Sequence, residues 1–374
     1  MKVLMRNPDL AHRGQLPVLS GDAVIRNNDL STWSLKVNGN DRRSERFQPG
    51  WGVQILDEAG NQILSGPATK ISTDVSGDNR KNTLTIAGVS DDVFLADSLV
   101  IPNPPAGATA TADLWKATGK AETVMRRLVN EQIGPASPAD YRIPRLVVLP
   151  DQGRGKDVSV GERFTNLLDV LQAQATAGEL QFRVRQNKQT LEFRISVRRD
   201  LSKAVRLTRH NGAVGAYKSE REAPEATEII VGGSGAGSTR KLLREPSPVG
   251  EWGRRVTKFL DRQSTSDSNE LRQAAQTELK DKGEQASATF EATDIPRLRY
   301  GRDFTVGDKI TVDLDGSPIR DTLQIVELSW DSKGRTAKMQ VGPTADDSKM
   351  NPANGVVLKL YKDIWAQVRR AQTR

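Results

Sequence analysis

The chain has no cysteine and only two histidines, His12 and His210, among 374 residues. The first absence excludes disulfides, thiolate nucleophiles and cysteine-ligated zinc. The second leaves too few imidazoles for a histidine-built metal centre. No apolar run reaches the roughly 18 residues that a helical membrane span needs. Residues 1–6 are too short and too soon charged for a secretory signal, so the chain is expected to be made in the cytosol, with no membrane span. Aromatic residues are 5% and apolar residues 36% of the whole, which points to several small cores or to polar contacts between subunits. Basic residues are the one excess: 55 Lys plus Arg against 47 Asp plus Glu leave a net charge of +8. That balance suits nucleic acid or an acidic protein surface. The two signs are interspersed almost throughout, so charge alone selects neither.

What is present is one stretch that occurs twice. Residues 50–57, 62–71 and 82–88 read as strand, turn, strand, turn, strand, and so do residues 307–316, 322–328 and 336–342. Apolar and polar residues alternate in both, as half-buried strands require. Val53 and Ile55 match Ile310 and Val312, and Ile86 matches Val341 or its neighbour. Gly50 and Gly307 open the copies; Gly88 and Gly342 close them. An internal duplication is expected, with Val53, Ile55, Ile310 and Val312 facing inward.

Four regions follow from the texture of the chain. Over 1–107, residues 1–20 read as irregular, 24–28 and 33–37 as strands, and 90–97 as a short helix capped by Ser90. The proline-rich run 101–107 ends this region. Residues 112–202 read as a compact α/β unit. Ala121, Val124, Met125, Leu128 and Val129 fall at helical spacing, stopped by Gly134 and Pro135, and 146–149 is a short strand. Ser159 and Glu162 have capping-box spacing, and the helix they predict carries Phe164, Leu167, Leu168, Leu171 and Ala175 up to Gly178. A hairpin turning at Asn187 and Lys188 follows, with Phe182 and Phe193 toward the core and Arg183, Arg185, Arg194, Arg198 and Arg199 on its outer face. No aromatic shares that face, and stacking on single strands needs exposed rings. A solvated or subunit-facing surface is therefore preferred to a nucleic-acid platform.

Residues 203–345 return to strands. The glycine run 232–237 follows a strand but fails phosphate-loop spacing, because Ser238 stands where a third glycine belongs, so a hairpin tip is expected. Asp267 and Glu270 cap a helix carrying Leu271, Ala274, Ala275 and Leu279, and 286–292 is a strand centred on Phe290. Asp313 to Gly316 lacks the further acidic ligands of a calcium loop and reads as a β-turn. Residues 346–374 are a linker and a basic amphipathic helix, whose Val357, Tyr361, Ile364, Trp365 and Val368 would form a subunit interface.

Several stretches, taken in order, resemble the tail-hub, or minor tail, proteins of long-tailed bacteriophages, especially those of actinobacteria. They are residues 48–55 with 64–66; 167–171 before 191–195 and Arg199-Asp200; 228–233; 252–255; and 306–312. The resemblance covers about residues 20–345, and no peptidase, muramidase or receptor-binding module is expected beyond it. It implies a mainly β fold with an α+β insertion: two related tube-like β-barrel domains flanking the small α/β domain, with the C-terminal helix appended. It also implies a homotrimer, since three chains with two barrels each give six positions around an axis. The expected partners are distal tail and tape-measure proteins and other tail-tip or receptor-binding proteins, with DNA passing through the channel.

Two other classes weigh against this structural role. A cell-wall hydrolase would need two placed carboxylates in a cleft. Glu122, Glu131, Asp91 and Asp92 fall beside capping or surface positions and suggest no such site. A basic nucleic-acid-binding protein would need a concentrated patch. The expectation is a non-enzyme in the virion tail tip, with no catalytic, cofactor or metal residues.

Overall fold

The computed structural model describes residues 1–75, 82–102, 114–263, 265–296 and 298–343. The helix expected over 356–374, with its five interface residues, lies outside them. Seven strands open the chain: β1 (Lys2–Arg6), β2 (His12–Gln15), β3 (Val18–Arg26), β4 (Thr32–Asn38), β5 (Gly52–Leu56), β6 (Gln62–Val75) and β7 (Asn82–Val89). The short α1 (Val93–Ala96) leads into an α/β layer of β8 (Trp115–Lys120), α2 (Ala121–Gln132), β9 (Leu146–Val148), β10 (Asp157–Glu162), α3 (Leu167–Gly178) and the hairpin β11 (Leu180–Asn187) and β12 (Thr190–Val197). Strands β13 (Arg206–Thr208) and β14 (Val214–Glu222) come next, followed by β15 (Glu228–Gly232), β16 (Leu242–Pro246), β17 (Thr257–Asp261) and α4 (Ser268–Lys282). The last strands are β18 (Gln285–Ala292), β19 (Lys309–Leu314), β20 (Ser317–Trp330) and β21 (Arg335–Val341).

The chain is mainly β, but the two barrels that the resemblance implies are not closed. Strands from both ends of the chain form one thirteen-stranded sheet, in the order β14-β18-β21-β20-β3-β4-β7-β6-β5-β1-β2, with β19 and β13 branching from β20. The physical reason is that β20 gives one edge to β3, so hydrogen bonds that would close one half join the two halves instead. One apolar cluster runs under both, from Val3, Trp33, Val53 and Ile86 to Phe290, Ile310, Val326 and Met339. A second cluster holds the α/β layer around Met125, Leu171 and Phe193, and a third packs α4 on β15 through Ile229, Val231, Leu271 and Ala275.

Three local expectations are corrected. Residues 1–20 are largely ordered strand, because Val3 and Met5 alternate into the core beside β5. Ser90 is not a helix cap: its hydroxyl donates to Asp92 Oδ2 at 2.9 Å and accepts from the Ser31 amide, and α1 starts after Asp92 with no side-chain cap. The Ser159–Glu162 spacing opens no helix. Val158 and Val160 alternate into the core on β10, which pairs with β8, and this period-two pattern outweighs the cap spacing. The cap is Asn166, whose side chain accepts from the amides of Leu168 and Asp169 at 3.0 and 3.4 Å. Phe164, with φ at 51°, precedes α3 and is not on its stripe.

Elsewhere the elements stand where the sequence puts them. Asp267 caps α4 by accepting from the amides of Asn269 and Glu270. Asp315 and Gly316 both have positive φ between β19 and β20, as a two-residue hairpin turn needs. The glycine run is the tip of the β15–β16 hairpin. The β15 strand, its hairpin tip and α4 are as expected; what the structure adds is β17 and their assembly into a separate small layer inserted between β14 and β18.

Candidate functional site

The duplicated stretch builds the central feature of the molecule. Strands β5, β6 and β7 have 5, 14 and 8 residues, and β19, β20 and β21 have 6, 14 and 7. In each copy the long strand pairs through its first part with the strand before it and through its second part with the strand after it. Both ladders slip at the same place, between Ala68 and Lys70 and between Leu323 and Ile325. The likeness extends outward: β3-β4-β7-β6-β5-β1 and β14-β18-β21-β20-β19-β13 are one strand order, although β1 meets β5 antiparallel and β13 meets β19 parallel. Val53, Ile55, Ile310 and Val312 are all fully buried, as expected. Gly50 and Gly307 both hold left-handed backbone, φ 82° and 91°, where a side chain would be strained. Ile86 matches Met339, by its place opposite Ile71 and Val326, and not Val341.

The halves meet at a seam. Residues 325–330 of β20 run antiparallel to residues 21–26 of β3, with Ile325 opposite Arg26 and Trp330 opposite Gly21. The seam is tightly filled: a Cβ on Gly21 would lie 2.3 Å from the Trp330 ring. Val326, Leu328, Ala23 and Ile25 are buried along it, and Ser329 donates to Asp22 at 2.7 Å on its other face. The equivalent segments, 70–75 of β6 and 217–222 of β14, have no strand on their outer edges among the described residues. Both are mostly exposed, Val75 to 55% and Tyr217 to 37%. These two open edges are the candidate interaction site, and a duplicated fold with one seam made and one unmade is the signal that locates them.

The buried carboxylates belong to the framework. Asp91, Asp92 and Glu122 are buried, not at the surface; Asp92 does stand at the N-cap position of α1 and Glu122 in the first turn of α2, as their spacing suggested. Arg6 grips both oxygens of Asp91, and Ser65 donates to the same carboxylate at 2.5 Å. Arg6 also donates to Gln186 Oε1 at 2.9 Å, so this cluster ties β1 to the tip of the β11–β12 hairpin. Asp92 accepts from the Val184 amide at 2.7 Å, and burial pushes its carboxyl up to about 6. Burial also raises Glu122, but hydrogen bonds from Arg154 and Arg126 outweigh it and hold the group down at about 2. Glu131 accepts from Trp115 Nε1 and Arg127. Each of the four carboxylates has a structural partner, and none of these contacts sets two of them across a cleft.

The basic hairpin face is partly solvated and partly engaged: the Arg194 and Arg199 side chains are 47% and 52% exposed, while Arg183, Arg185 and Arg198 are half-buried. Arg183 donates to the Arg26 carbonyl, Arg185 to the Gln62 carbonyl, and Arg199 to Asp308 at 2.8 Å. Arg183, Arg185 and Arg194 line a groove of about 730 Å³ with Tyr300 and Asp57. Burial and the neighbouring cations Arg183 and Arg194 lower the Arg185 guanidinium to about 10. These contacts fasten the α/β layer to both halves of the sheet.

The fold has counterparts among solved structures. It is similar to a 43 kDa tail protein of prophage MuSo2 from Shewanella oneidensis, at 12% identity and a TM-score of 0.59, over 91% of this chain and 98% of that one. A tail protein from Neisseria meningitidis MC58 matches at 14% identity and 0.56, over 93% and 97%. Prophage tail protein gp18 from Listeria monocytogenes EGD-e matches at 10% and 0.54, over 96% and 98%. At these identities the likeness shows the fold. No curated protein matches the sequence. Residues 2–343 match the family described as Siphovirus ReqiPepy6 Gp37-like protein, and the chain belongs to that family.

Proposed function

We propose that this protein is a structural hub subunit of a phage tail tip: three copies form a ring that joins a sixfold tail tube to a threefold tip and guides DNA during ejection. The observation that carries this reading is the duplication. Two sheet halves of one strand order, joined edge to edge within one chain, are two near-equivalent positions in a ring, so three chains supply six. Membership of the family and the fold shared with prophage tail proteins support a tail-associated structural role. In this reading regions 1–107 and 203–345 supply the two tube positions and 112–202 lies between them as a brace. The protein is not an enzyme and acts in the virion tail.

The linker and helix 346–374 would dock on a neighbour, either another subunit or a distal tail, tape-measure or receptor-binding protein, through Val357, Tyr361, Ile364, Trp365 and Val368. A helix of this length is marginal alone in water and needs an apolar cover, and a buried Trp365 would anchor it. The test of the hub is the copy number per tail in a density map of the particle: three is expected, and one, two or six would overturn it. Deleting 356–374 should leave a folded protein that fails to incorporate its partner; an unfolded product would mean the helix packs on its own chain.

A further inference from the structure

The seam within the chain has a register, and the duplication transfers it to the open edges. Position by position, Ile325 to Trp330 of β20 correspond to Lys70 to Val75 of β6, because their ladders to β21 and β7 share one bulge and one spacing. Gly21 to Arg26 of β3 correspond in the same way to Tyr217 to Glu222 of β14, through their pairing with β4 and β18. Laying the seam's register on the open edges sets Lys70 opposite Glu222, Asp74 opposite Lys218, Thr73 opposite Ser219 and Val75 opposite Tyr217.

We infer that the open edge of β6, residues 70–75, pairs antiparallel in this register with residues 217–222 of β14 in a second copy of the chain. The inference rests on the ring reading above and gives that ring its subunit contact. Three features of the transferred register support it. Both charged pairs it creates are of opposite sign, and opposite charges directly across a ladder stabilise it while like charges do not. The largest and smallest partners trade places: Trp330 over Gly21 in the seam becomes Val75 beside Tyr217, so a ring still covers the end of the ladder. The exposed apolar residues at these two edge positions, Val75 and Tyr217, become each other's cover. Charges on a free edge also deter indiscriminate pairing, but deterrence alone does not require the signs of two distant strands to match at two positions. In the chain by itself Lys218 pairs with Glu220 on its own strand, an exposed ion pair that is weak and easily exchanged for one across a ladder. The contact is heterologous, β6 of one copy to β14 of the next, and such contacts close into a ring or run on as a helix.

The absence of cysteine gives a clean test. Full-length Thr73→Cys and Ser219→Cys proteins, mixed under mild oxidation, should form a disulfide-linked heterotypic dimer, whereas either alone, and a mixture of Lys70→Cys with Ser219→Cys, should not. The double variant T73C/S219C should give a covalent ladder that stops at three chains. Lys70→Glu and Glu222→Lys should each weaken assembly by about fivefold at low salt, and combining them should restore it. A trimeric mass in solution with no cross-link at 73–219 would overturn this contact and leave the ring standing. A ladder running past three would keep the contact and overturn the threefold ring. A monomer at every concentration without cross-linking would overturn both.

Discussion

The two halves of the sheet share a strand order and differ in nearly everything attached to it. In the first half β3 passes to β4 through five residues, 27–31, and β3 is buried from Ala23 to Arg26. In the second half the same connection, β14 to β18, carries a whole α/β layer with its own core, and β14 is exposed along most of its length. Packing explains the contrast. Strand β3 lies between β4 and β20, whereas β14 has, among the described residues, a neighbour on one side only. Equivalent strands keep their ladder neighbours, and the two long strands share a bulge, while burial follows what lies on the outer edge. The lesson is that alternation and turn glycines carry the topology of each half, and the environment of each half is set by what it meets.

The largest effect expected on this comparison is a charge in either matched core position. Ile310→Asp and Val53→Asp should each cost about 4 kcal/mol by chemical denaturation, since each buries an unpaired carboxylate. Unequal costs would break the equivalence of the halves, because both sites are fully buried. The first half alone carries the Arg6–Asp91 pair. Asp91→Ala leaves Arg6 buried and uncompensated and should cost about 3 kcal/mol. A loss under 1 kcal/mol would show that the hairpin tip is held by other contacts.

A pH titration sharpens the same contrast. The folded Asp92 carboxyl titrates near 6, above its ordinary value of 3.8. A raised acid binds its proton more tightly in the folded state, so its contribution is full below about pH 4 and is lost as pH rises to 6. That loss should be on the order of 2 kcal/mol, and Asp92→Asn, which keeps an acceptor for the Val184 amide, should abolish it. Glu122 has the opposite sign: its folded value, near 2, lies below the ordinary 4.5, so its contribution is present above about pH 4.5 and fades toward pH 2. Denaturation midpoints of wild type and D92N between pH 4 and 7 read the first directly; parallel curves would sink the assignment. The smallest effect belongs to the insert. Asp267→Ala removes the cap of α4 and should cost about 1 kcal/mol, loosening the third cluster without changing hydrogen-exchange protection along β19 to β21.

Much of the sheet was legible because its strands alternate cleanly and its turns carry their own chemistry. Val53, Ile55, Ile310 and Val312 are inward by simple period two, and Asp315-Gly316 announces its turn. The helices α2 and α4 were equally plain from their apolar stripes. The misreadings have one cause each. Ser159 and Glu162 sit at cap spacing inside a strand, since nothing in four residues reveals that β8 lies alongside. Arg183 and Arg185 of the hairpin gave no sign of their engagement, since their acceptors are carbonyls 157 and 123 residues away in sequence. Asp91 and Glu122 looked like surface groups, since the arginines that permit their burial come from other elements or other turns.

The sequence by itself therefore determined the repeat, the faces of its strands and the turns that separate them, because these depend on residues within a few positions of one another. Only the tertiary structure decided that β20 gives its free edge to β3, that the two halves form one sheet in place of two closed barrels, and that β6 and β14 are left with open edges among the described residues. Strand pairing is a contest between backbone edges far apart in the chain, with nearly the same hydrogen bonds on offer to each. Its outcome depends on side-chain fit across the ladder, such as Trp330 lying against Gly21, and that fit exists only once the chain has folded.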